Sequence, residues 1–320
     1  MTAAPVISVR GLRKAYGATE AVRGVDLDVR PGEIFGLLGP NGAGKTTTVE
    51  ILEGYRGRSA GEVRVLGHDP ADGDPAFRDR IGIVLQSTGV ERHLTAAEAV
   101  ALYAGYYARP RPAAELLELV GLGGSADVRV GRLSGGQRRR LDLAIALAGS
   151  PEIVFLDEPT TGFDPSARRD AWGLIRRLAD DGTTVLLTTH FMDEAQVLAD
   201  RLAVIVDGRI VAEGTPAEVV ARVPAPTTIA FRLPDGAVPP ADLSVDADPE
   251  RPGRFLARTE EPTPLLHRIT TWAVGAGLAL DELSVTRPTL EETYLSLTGH
   301  APEAEAAPDP GIGRRRRGRR

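Results

Sequence analysis

Short apolar runs alternate with longer amphipathic stretches between residues 34 and 206. Runs of roughly four to eight apolar residues predict buried strands, because a strand covered on both faces needs no polar alternation. Such runs lie at 34–38, 81–85, 153–157, 184–189 and 202–206. Helical patterns occupy 95–108, 113–120, 138–148, 166–179 and 192–199. Strands that alternate with helices predict an α/β fold, with a parallel sheet covered on both faces.

Polar side chains follow three of the predicted strands at the point where each strand ends. Gln86 follows the second run, Asp157 and Glu158 close the third, and His190 follows the fourth. The carboxyl ends of parallel strands meet at one edge of a sheet, and ligands bind beyond that edge. We therefore expect these four side chains to share one site.

A glycine-rich segment joins the strand at 34–38 to a run with helical character. Its glycines allow several backbone N–H groups to point at one anion, which also faces the positive end of the following helix. Lys45 adds a charge for the β- and γ-phosphates, and the Thr46 hydroxyl can bind Mg²⁺. A simple glycine-rich turn is the alternative, in a chain with 36 glycines, but both flanks favour a phosphate-binding loop. The predicted ATP-binding residues here are Gly39, Pro40, Asn41, Gly42, Ala43, Gly44, Lys45, Thr46 and Thr47.

The use of basic residues strengthens the choice of Lys45. Of 38 basic residues, only Lys14 and Lys45 are lysines, and the other 36 are arginines. A lysine ammonium is a compact point charge, whereas the planar arginine fork does not fit the same pocket. The lysine retained at this position therefore indicates a specific phosphate contact.

Composition excludes several other kinds of site. The 320 residues include no cysteine, so disulfides and thiolate chemistry are excluded, and the five histidines have no ligand-like spacing. A net charge of −6 disfavours general binding of nucleic acid. No uncharged apolar run approaches the roughly 18–20 residues that span a bilayer, and the N-terminus lacks a signal pattern. We expect a cytoplasmic chain that acts on a membrane only through a partner.

The composition changes after Val223, where prolines become frequent. We take 1–222 as one domain and 223–299 as a small α+β domain, with a strand near 229–233, a helix over 262–277, a strand over 278–285 and a helix over 289–297. Thr289 and Glu292 are spaced for a capping box at the start of the last helix. Residues 300–320 have the composition of a disordered tail that ends in arginines. We favour a solvated tail, and a tail that binds the membrane surface is the alternative.

Two further motifs indicate a family that the phosphate loop alone does not. Leu133, Ser134, Gly135, Gly136 and Gln137 form the sequence LSGGQ, which lies between the phosphate loop and the strand that ends at Asp157. The chain from Val6 to about Arg222 resembles the ATP-binding cassette ATPase, the motor of ABC transporters. The phosphate loop resembles its Walker A motif, residues 153–158 its Walker B motif, and LSGGQ its signature motif. The resemblance implies a RecA-like parallel core, an antiparallel β-subdomain and a helical subdomain at about 88–150.

The resemblance also assigns roles to single residues. Glu158 is expected to activate the attacking water, and His190 and Gln86 to assist it as the switch histidine and the Q-loop. Thr46, Gln86 and Asp157 are expected to hold Mg²⁺, and Tyr16 to stack on adenine. Asp164 ends a segment similar to the D-loop, in which Phe163 replaces the usual leucine. In this family the signature motif contacts the partner chain's ATP, so a homodimer enclosing two ATP molecules is implied, together with a membrane permease.

The last predicted helix narrows the comparison within the family. Residues 287–299 resemble the ending of exporter ATPases of the daunorubicin-resistance type, although any small α+β appendage can end in such a helix. We expect an ATPase, on the inner face of the membrane, that drives efflux of a drug-like substrate. The alternatives are an ABC ATPase for a lipid, polysaccharide or other solute, and a non-transport ABC protein. The latter is disfavoured because the chain has neither a long coiled-coil insertion nor a second cassette.

Overall fold

The computed structural model describes residues 4–84, 89–222, 226–234, 236–249, 251–287 and 289–299. Their contacts divide the chain into two compact units, with the division between Glu213 and Gly214. The strands of the first unit are β1 Ile7–Tyr16, β2 Thr19–Val29, β3 Ile34–Leu38, β4 Ala60–Val65, β5 Ile81–Val84, β6 Ile153–Asp157, β7 Thr184–Thr189, β8 Arg201–Val206 and β9 Arg209–Gly214, whose last residue begins the second unit. Its helices are α1 Lys45–Leu52, α2 Pro75–Arg78, α3 Ala96–Ala104, α4 Ala113–Leu119, α5 Gly135–Ala146, α6 Pro165–Asp180 and α7 Met192–Leu198.

A six-stranded sheet with the order β5-β6-β7-β3-β8-β9 forms the centre of the first unit. The pairs from β5 to β8 are parallel, which confirms the predicted sheet. Alternate residues of β6 enter two different cores: Val154 and Leu156 pack with the helices α3 to α6, and Ile153 and Phe155 pack on the opposite face. The period of two along a strand explains why an uninterrupted apolar run was needed here.

The second core is closed by a three-stranded antiparallel sheet with the order β2-β1-β4. Ile7, Val9 and Leu27 from this sheet are buried with Phe35 and Leu186 of the central sheet. Both strands of the β1–β2 hairpin are longer than the apolar patterns predict, because their pairing continues through register shifts after Val9 as far as Tyr16 and Thr19.

The second unit is a four-stranded antiparallel sheet, with the order β11-β12-β10-β13, and its helices. Ile229 and Phe231 of the sheet are buried with Leu265 and Ile269 of its long helix. The first helix of this unit contacts the last one, so the structural division precedes the residue 222 boundary that composition suggests. The elements are α8 Pro216–Ala221, β10 Thr227–Arg232, β11 Asp246–Ala247, β12 Arg254–Thr259, α9 Pro262–Gly275, β13 Asp281–Thr286 and α10 Leu290–Thr298.

The capping box predicted for α10 is present. Thr289 Oγ1 accepts from the amide of Glu292 at 3.1 Å, and Glu292 Oε2 accepts from the amide of Thr289 at 2.9 Å. Among the helices of the described ranges, none combines the length and apolar character needed to cross a bilayer.

Candidate functional site

The glycine-rich loop connects β3 to α1, in the strand–loop–helix arrangement that the sequence predicts. The Lys45 ammonium is 6% exposed and donates to the carbonyl oxygens of Gly39 at 2.6 Å and Pro40 at 3.1 Å. These contacts hold the ammonium within the curve of the loop. The first-turn amides of α1 lie at the same end, so the loop presents a positive charge and backbone donors together.

Gly44 occupies a position that no other residue can take without strain. Its φ of 104° lies in the left-handed region, and a Cβ there would stand 2.5 Å from the carbonyl oxygen of Ala21. Ala21 belongs to β2, so the antiparallel sheet directly contacts the phosphate loop. The sequence pattern missed Ala21, since a small apolar residue in a strand carries no signal of this contact.

A cavity of about 190 Å³ joins the loop to the end of β6. The residues that line it are more than a hundred positions apart in sequence. They meet because the loop after β3 and the end of β6 lie at the same edge of the parallel sheet. They are Ala21, Asn41, Gly42, Gly44, Lys45, Thr46, Thr47, Asp157 and Glu158.

The neighbouring strand β7 holds the Asp157 carboxylate and the backbone amide of Glu158 at the end of β6. Thr188 Oγ1 donates to Asp157 Oδ1 at 2.5 Å. The amide of Glu158 donates to the carbonyl oxygen of Thr188 at 3.1 Å. Glu158 has a φ of 48°, so a non-glycine residue adopts the left-handed conformation here. Observed strain at one residue of a cavity is typical of a functional position.

His190 and Glu158 form a pair beside this cavity. His190 Nδ1 lies 3.0 Å from Glu158 Oε1, and Thr161 Oγ1 donates to Glu158 Oε2 at 3.3 Å. The hydrogen bond with His190 lowers the pKa of Glu158 despite partial burial, and the charge of Lys45 acts in the same direction. Glu158 is therefore ionised at neutral pH, as an acceptor of a proton from water must be.

The residues present fit a magnesium ion bound with nucleotide. The Thr46 hydroxyl and the Asp157 carboxylate line the same cavity as Lys45, and Mg²⁺ favours oxygen ligands of this kind together with phosphate oxygens. Gln86, the third predicted ligand and an expected catalytic residue, lies outside the described residues.

The LSGGQ motif forms the start of α5 and is not among the residues that line the loop cavity. Ser134 Oγ accepts from the amide of Gln137 at 3.2 Å, and Gln137 Oε1 accepts from the amide of Ser134 at 2.9 Å. Leu133 is buried, whereas nothing lies within 4 Å of a Cβ placed on Gly135 or Gly136. The capping box starts the helix at Gly135, three residues before the pattern of apolar residues predicts, and leaves its glycines open.

Asp164 and Tyr16 have structural contacts that the sequence did not indicate. Asp164 Oδ1 accepts from the amides of Ser166 and Ala167, both at 2.9 Å, and so caps α6. These hydrogen bonds lower the pKa of Asp164. Tyr16 is 43% exposed at the end of β1, and the Lys14 ammonium lies 5.1 Å from the centre of its ring. The expected roles of Asp164 in a dimer and of Tyr16 under adenine stay predictions.

Two charged residues near the site, the partly buried Arg139 and the buried Glu194, escaped the sequence analysis. Arg139 of α5 donates to the backbone of the turn after β6. Glu194 of α7 is fully buried and accepts from Thr160 Oγ1 at 2.8 Å and from Trp172 Nε1 at 3.1 Å. Burial raises the pKa of Glu194. Arg139 is the middle of three consecutive arginines, and the sequence does not indicate which of the three contacts the turn after β6.

Fold and site together define a nucleotide-hydrolysing cassette, and comparison with known proteins agrees. Residues 22–161 match the ABC transporter family, and residues 227–289 match the C-terminal domain of ABC transporter domain-containing proteins. The chain belongs to the ABC transporter ATP-binding family and is an ATPase.

Relatives of known function cover almost the whole chain. A daunorubicin/doxorubicin resistance ATP-binding protein of Streptomyces peucetius is 41% identical over 310 residues, which is 92% of each chain. A Nod factor export ATP-binding protein of Burkholderia orbicola is 39% identical over 307 residues, covering 93% of this chain and 98% of its own. The predicted resemblance to the ABC family and to drug-resistance ATPases is thereby confirmed.

Solved structures confirm the ABC ATPase fold of the first unit. A dimeric ATP-binding cassette in a post-hydrolysis state, bound to ADP and Pi, has a TM-score of 0.60 at 29% identity and covers 65% of this chain and 98% of its own. The ATP-binding subunit of an ABC transporter has a TM-score of 0.62 at 25% identity, over 68% of this chain and 92% of its own.

Proposed function

We propose that this ATPase drives efflux of a drug-like substrate through a separate integral membrane permease. The carrying observation is the similarity to the daunorubicin/doxorubicin resistance ATP-binding protein, which extends through both units of the chain. The cavity between the phosphate loop and Glu158 supplies the chemistry. The chain is proposed to act at the cytoplasmic face of the membrane, in contact with the permease.

The residues of the cavity divide the work of phosphoryl transfer to water. Lys45 and the loop amides bind the β- and γ-phosphates. Thr46 and Asp157 would hold Mg²⁺, which would neutralise phosphate charge. Glu158 accepts a proton from the attacking water or orients it, and His190 positions the Glu158 carboxylate through their hydrogen bond. Catalysis of this kind rests on positioning and electrostatic stabilisation.

A complete site is proposed to need two chains. The open N-terminus of α5, with Ser134, Gly135 and Gly136, offers amides suited to a γ-phosphate, yet it does not line the chain's own cavity. A head-to-tail homodimer would place this motif against the nucleotide of the partner. The dimeric state of the related cassette with ADP and Pi supports this arrangement.

Transport by membrane vesicles tests the proposal. The full chain is co-produced with the integral membrane protein that copurifies with it, and inside-out vesicles are prepared. We expect ATP-dependent accumulation of daunorubicin, and none when Glu158→Gln replaces the wild-type chain. Intact ATP hydrolysis without daunorubicin accumulation would refute the drug-efflux assignment, and absence of any copurifying membrane protein would refute a transport function.

A second candidate is export of a different solute. The Nod factor export relative is nearly as similar as the drug-resistance relative and covers as much of the chain. The same vesicles discriminate the two, because a substrate raises the ATPase rate of its own transporter. Stimulation by a lipid-linked saccharide, with no response to daunorubicin, would favour the second candidate.

A further inference from the structure

The Arg139 guanidinium makes three hydrogen bonds to consecutive backbone carbonyls. Its Nη2 donates to the oxygens of Asp157 at 2.5 Å and Glu158 at 3.0 Å, and its Nε donates to the oxygen of Pro159 at 3.3 Å. The guanidinium thus spans the whole turn that follows β6. Arginine is suited to this task because its donors form a rigid planar fork.

The turn held by Arg139 is the one that orients Glu158. Glu158 has the left-handed φ of 48° noted above, and such a conformation persists only where the surroundings determine it. The amide of Glu158 is held by Thr188 of β7, and Thr160 Oγ1, two residues on, donates to Glu194 of α7. Arg139 holds the carbonyl side of the same peptides, so its loss frees the turn to rotate the Glu158 side chain.

Arg139 also belongs to the helix that begins with the LSGGQ motif. Helix α5 starts at Gly135, so Arg139 lies within about one turn of the open amides of Gly135 and Gly136. When this end of α5 moves, the hydrogen bonds of the planar Arg139 guanidinium transmit the movement to the turn after β6. The start of α5 therefore carries both the motif proposed to contact the partner's nucleotide and the arginine that holds the turn at Glu158. Through Arg139, the motif is connected with the chain's own proposed catalytic carboxylate.

We propose that Arg139 is a positioning residue that holds Glu158 in its productive orientation and makes that orientation depend on the position of α5. Only the second part of this inference, the dependence on the position of α5, rests on the proposed two-chain site. The first part, orientation of Glu158, requires nothing beyond ATP hydrolysis by this chain.

Steady-state ATPase kinetics of the purified full chain test the first part. In Arg139→Lys the charge stays, but a single nitrogen replaces the separate Nε and Nη2 donors of the planar fork, so it cannot reach the carbonyls at both ends of the turn. We expect kcat to fall 10- to 100-fold, as for a misplaced catalytic group. KM and the binding of a fluorescent ATP analogue should stay within twofold of wild type. The kcat of Arg139→Gln should fall further than that of Arg139→Lys. Arg177→Gln is the matched control, since Arg177 is an exposed arginine that lines, together with Arg139, a second cavity of about 410 Å³.

A double-mutant cycle with Gly136→Ala tests the second part. A Cβ on Gly136 meets nothing within 4 Å inside the chain, so this change acts on the partner's nucleotide and not on folding. If α5 transmits contact at the motif to Glu158, Arg139→Lys should cost no more than about threefold in kcat in the Gly136→Ala background. Full additivity of the two losses would overturn the transmission.

A kcat within twofold of wild type in both Arg139 variants would overturn the positioning role. A wild-type circular dichroism spectrum, and a melting temperature that lies well above the assay temperature, separate the expected loss of kcat from misfolding. Wild-type ATP binding by the variants keeps the outcome distinct from failure of the proposed function, which would appear as absence of transport by the unchanged chain.

Discussion

Replacing Glu53 with glutamine is expected to stabilise the first unit and to remove part of its pH dependence. Glu53 caps the C-terminal end of α1 and is 8% exposed. Burial raises the pKa of its carboxyl from 4.5 to about 8, and the charges of Asp157 and Glu50 add to the effect. Glutamine keeps the shape of the side chain while removing the charge that burial disfavours.

The direction follows from proton linkage. Because the pKa of Glu53 is higher in the folded chain, the folded state binds more protons between pH 4.5 and about 8, and stability falls as the pH rises through that window. At 1.36 kcal/mol per pKa unit, the shift from 4.5 to about 8 lowers the free energy of unfolding by roughly 5 kcal/mol above this pH window. About 3 kcal/mol of that decrease has occurred by pH 7.

Urea unfolding at pH 5.5 and pH 8 measures the effect. The chain has two tryptophans, so a Trp272→Phe background leaves Trp172 to report on the first unit alone. Between pH 5.5 and pH 8 the free energy of unfolding of the wild-type chain should fall by about 3 kcal/mol more than that of Glu53→Gln. Parallel pH profiles for the two chains, or a glutamine variant that is less stable at both pH values, would show that Glu53 does not carry the shifted proton.

Three further substitutions give sharp outcomes. Lys45→Ala should reduce ATP binding at least 100-fold, because the buried ammonium between two loop carbonyls is lost, and wild-type affinity by calorimetry would contradict the phosphate-loop assignment. Glu158→Gln should bind ATP, hydrolyse it at least 100-fold more slowly and accumulate as a dimer in light scattering, so a monomer at saturating ATP would contradict the two-chain site. Asp164→Ala should lower the free energy of unfolding through loss of the α6 cap, whereas Asp164→Asn, which keeps a capping oxygen, should not; equal losses in chemical denaturation would rule out the capping role.

The sequence predicted those parts of the site in which chemistry and chain order coincide. The phosphate loop lies between β3 and α1, and Asp157 and Glu158 close β6, because apolar strand runs and polar strand ends are local patterns. The start of α5 was placed too late because helical periodicity begins with its first apolar residues. Ser134 and Gln137, which fix the true start, act through capping and not through periodicity.

Contacts between distant segments could not be predicted in the same way. The contact of Ala21 with the phosphate loop depends on where the antiparallel sheet packs. The contact of Arg139 with the turn after β6 depends on the rotation of α5 over the end of that strand. In the second unit the short strand β11 and its partner β12 lack a continuous apolar run, since Asp246, Arg254 and Arg258 interrupt the pattern. Tertiary packing overrides local propensity at all of these positions.

The left-handed backbone at Glu158 has an evolutionary consequence. A glutamate in this conformation costs on the order of 1–3 kcal/mol, and asparagine or glycine tolerates it far better. On the catalytic role proposed for Glu158, selection for hydrolysis retains an ill-suited residue type there. A duplicated gene copy released from that selection gains stability by drifting to asparagine or glycine at this one codon, so its identity offers a marker for sorting inactive paralogues from working ones.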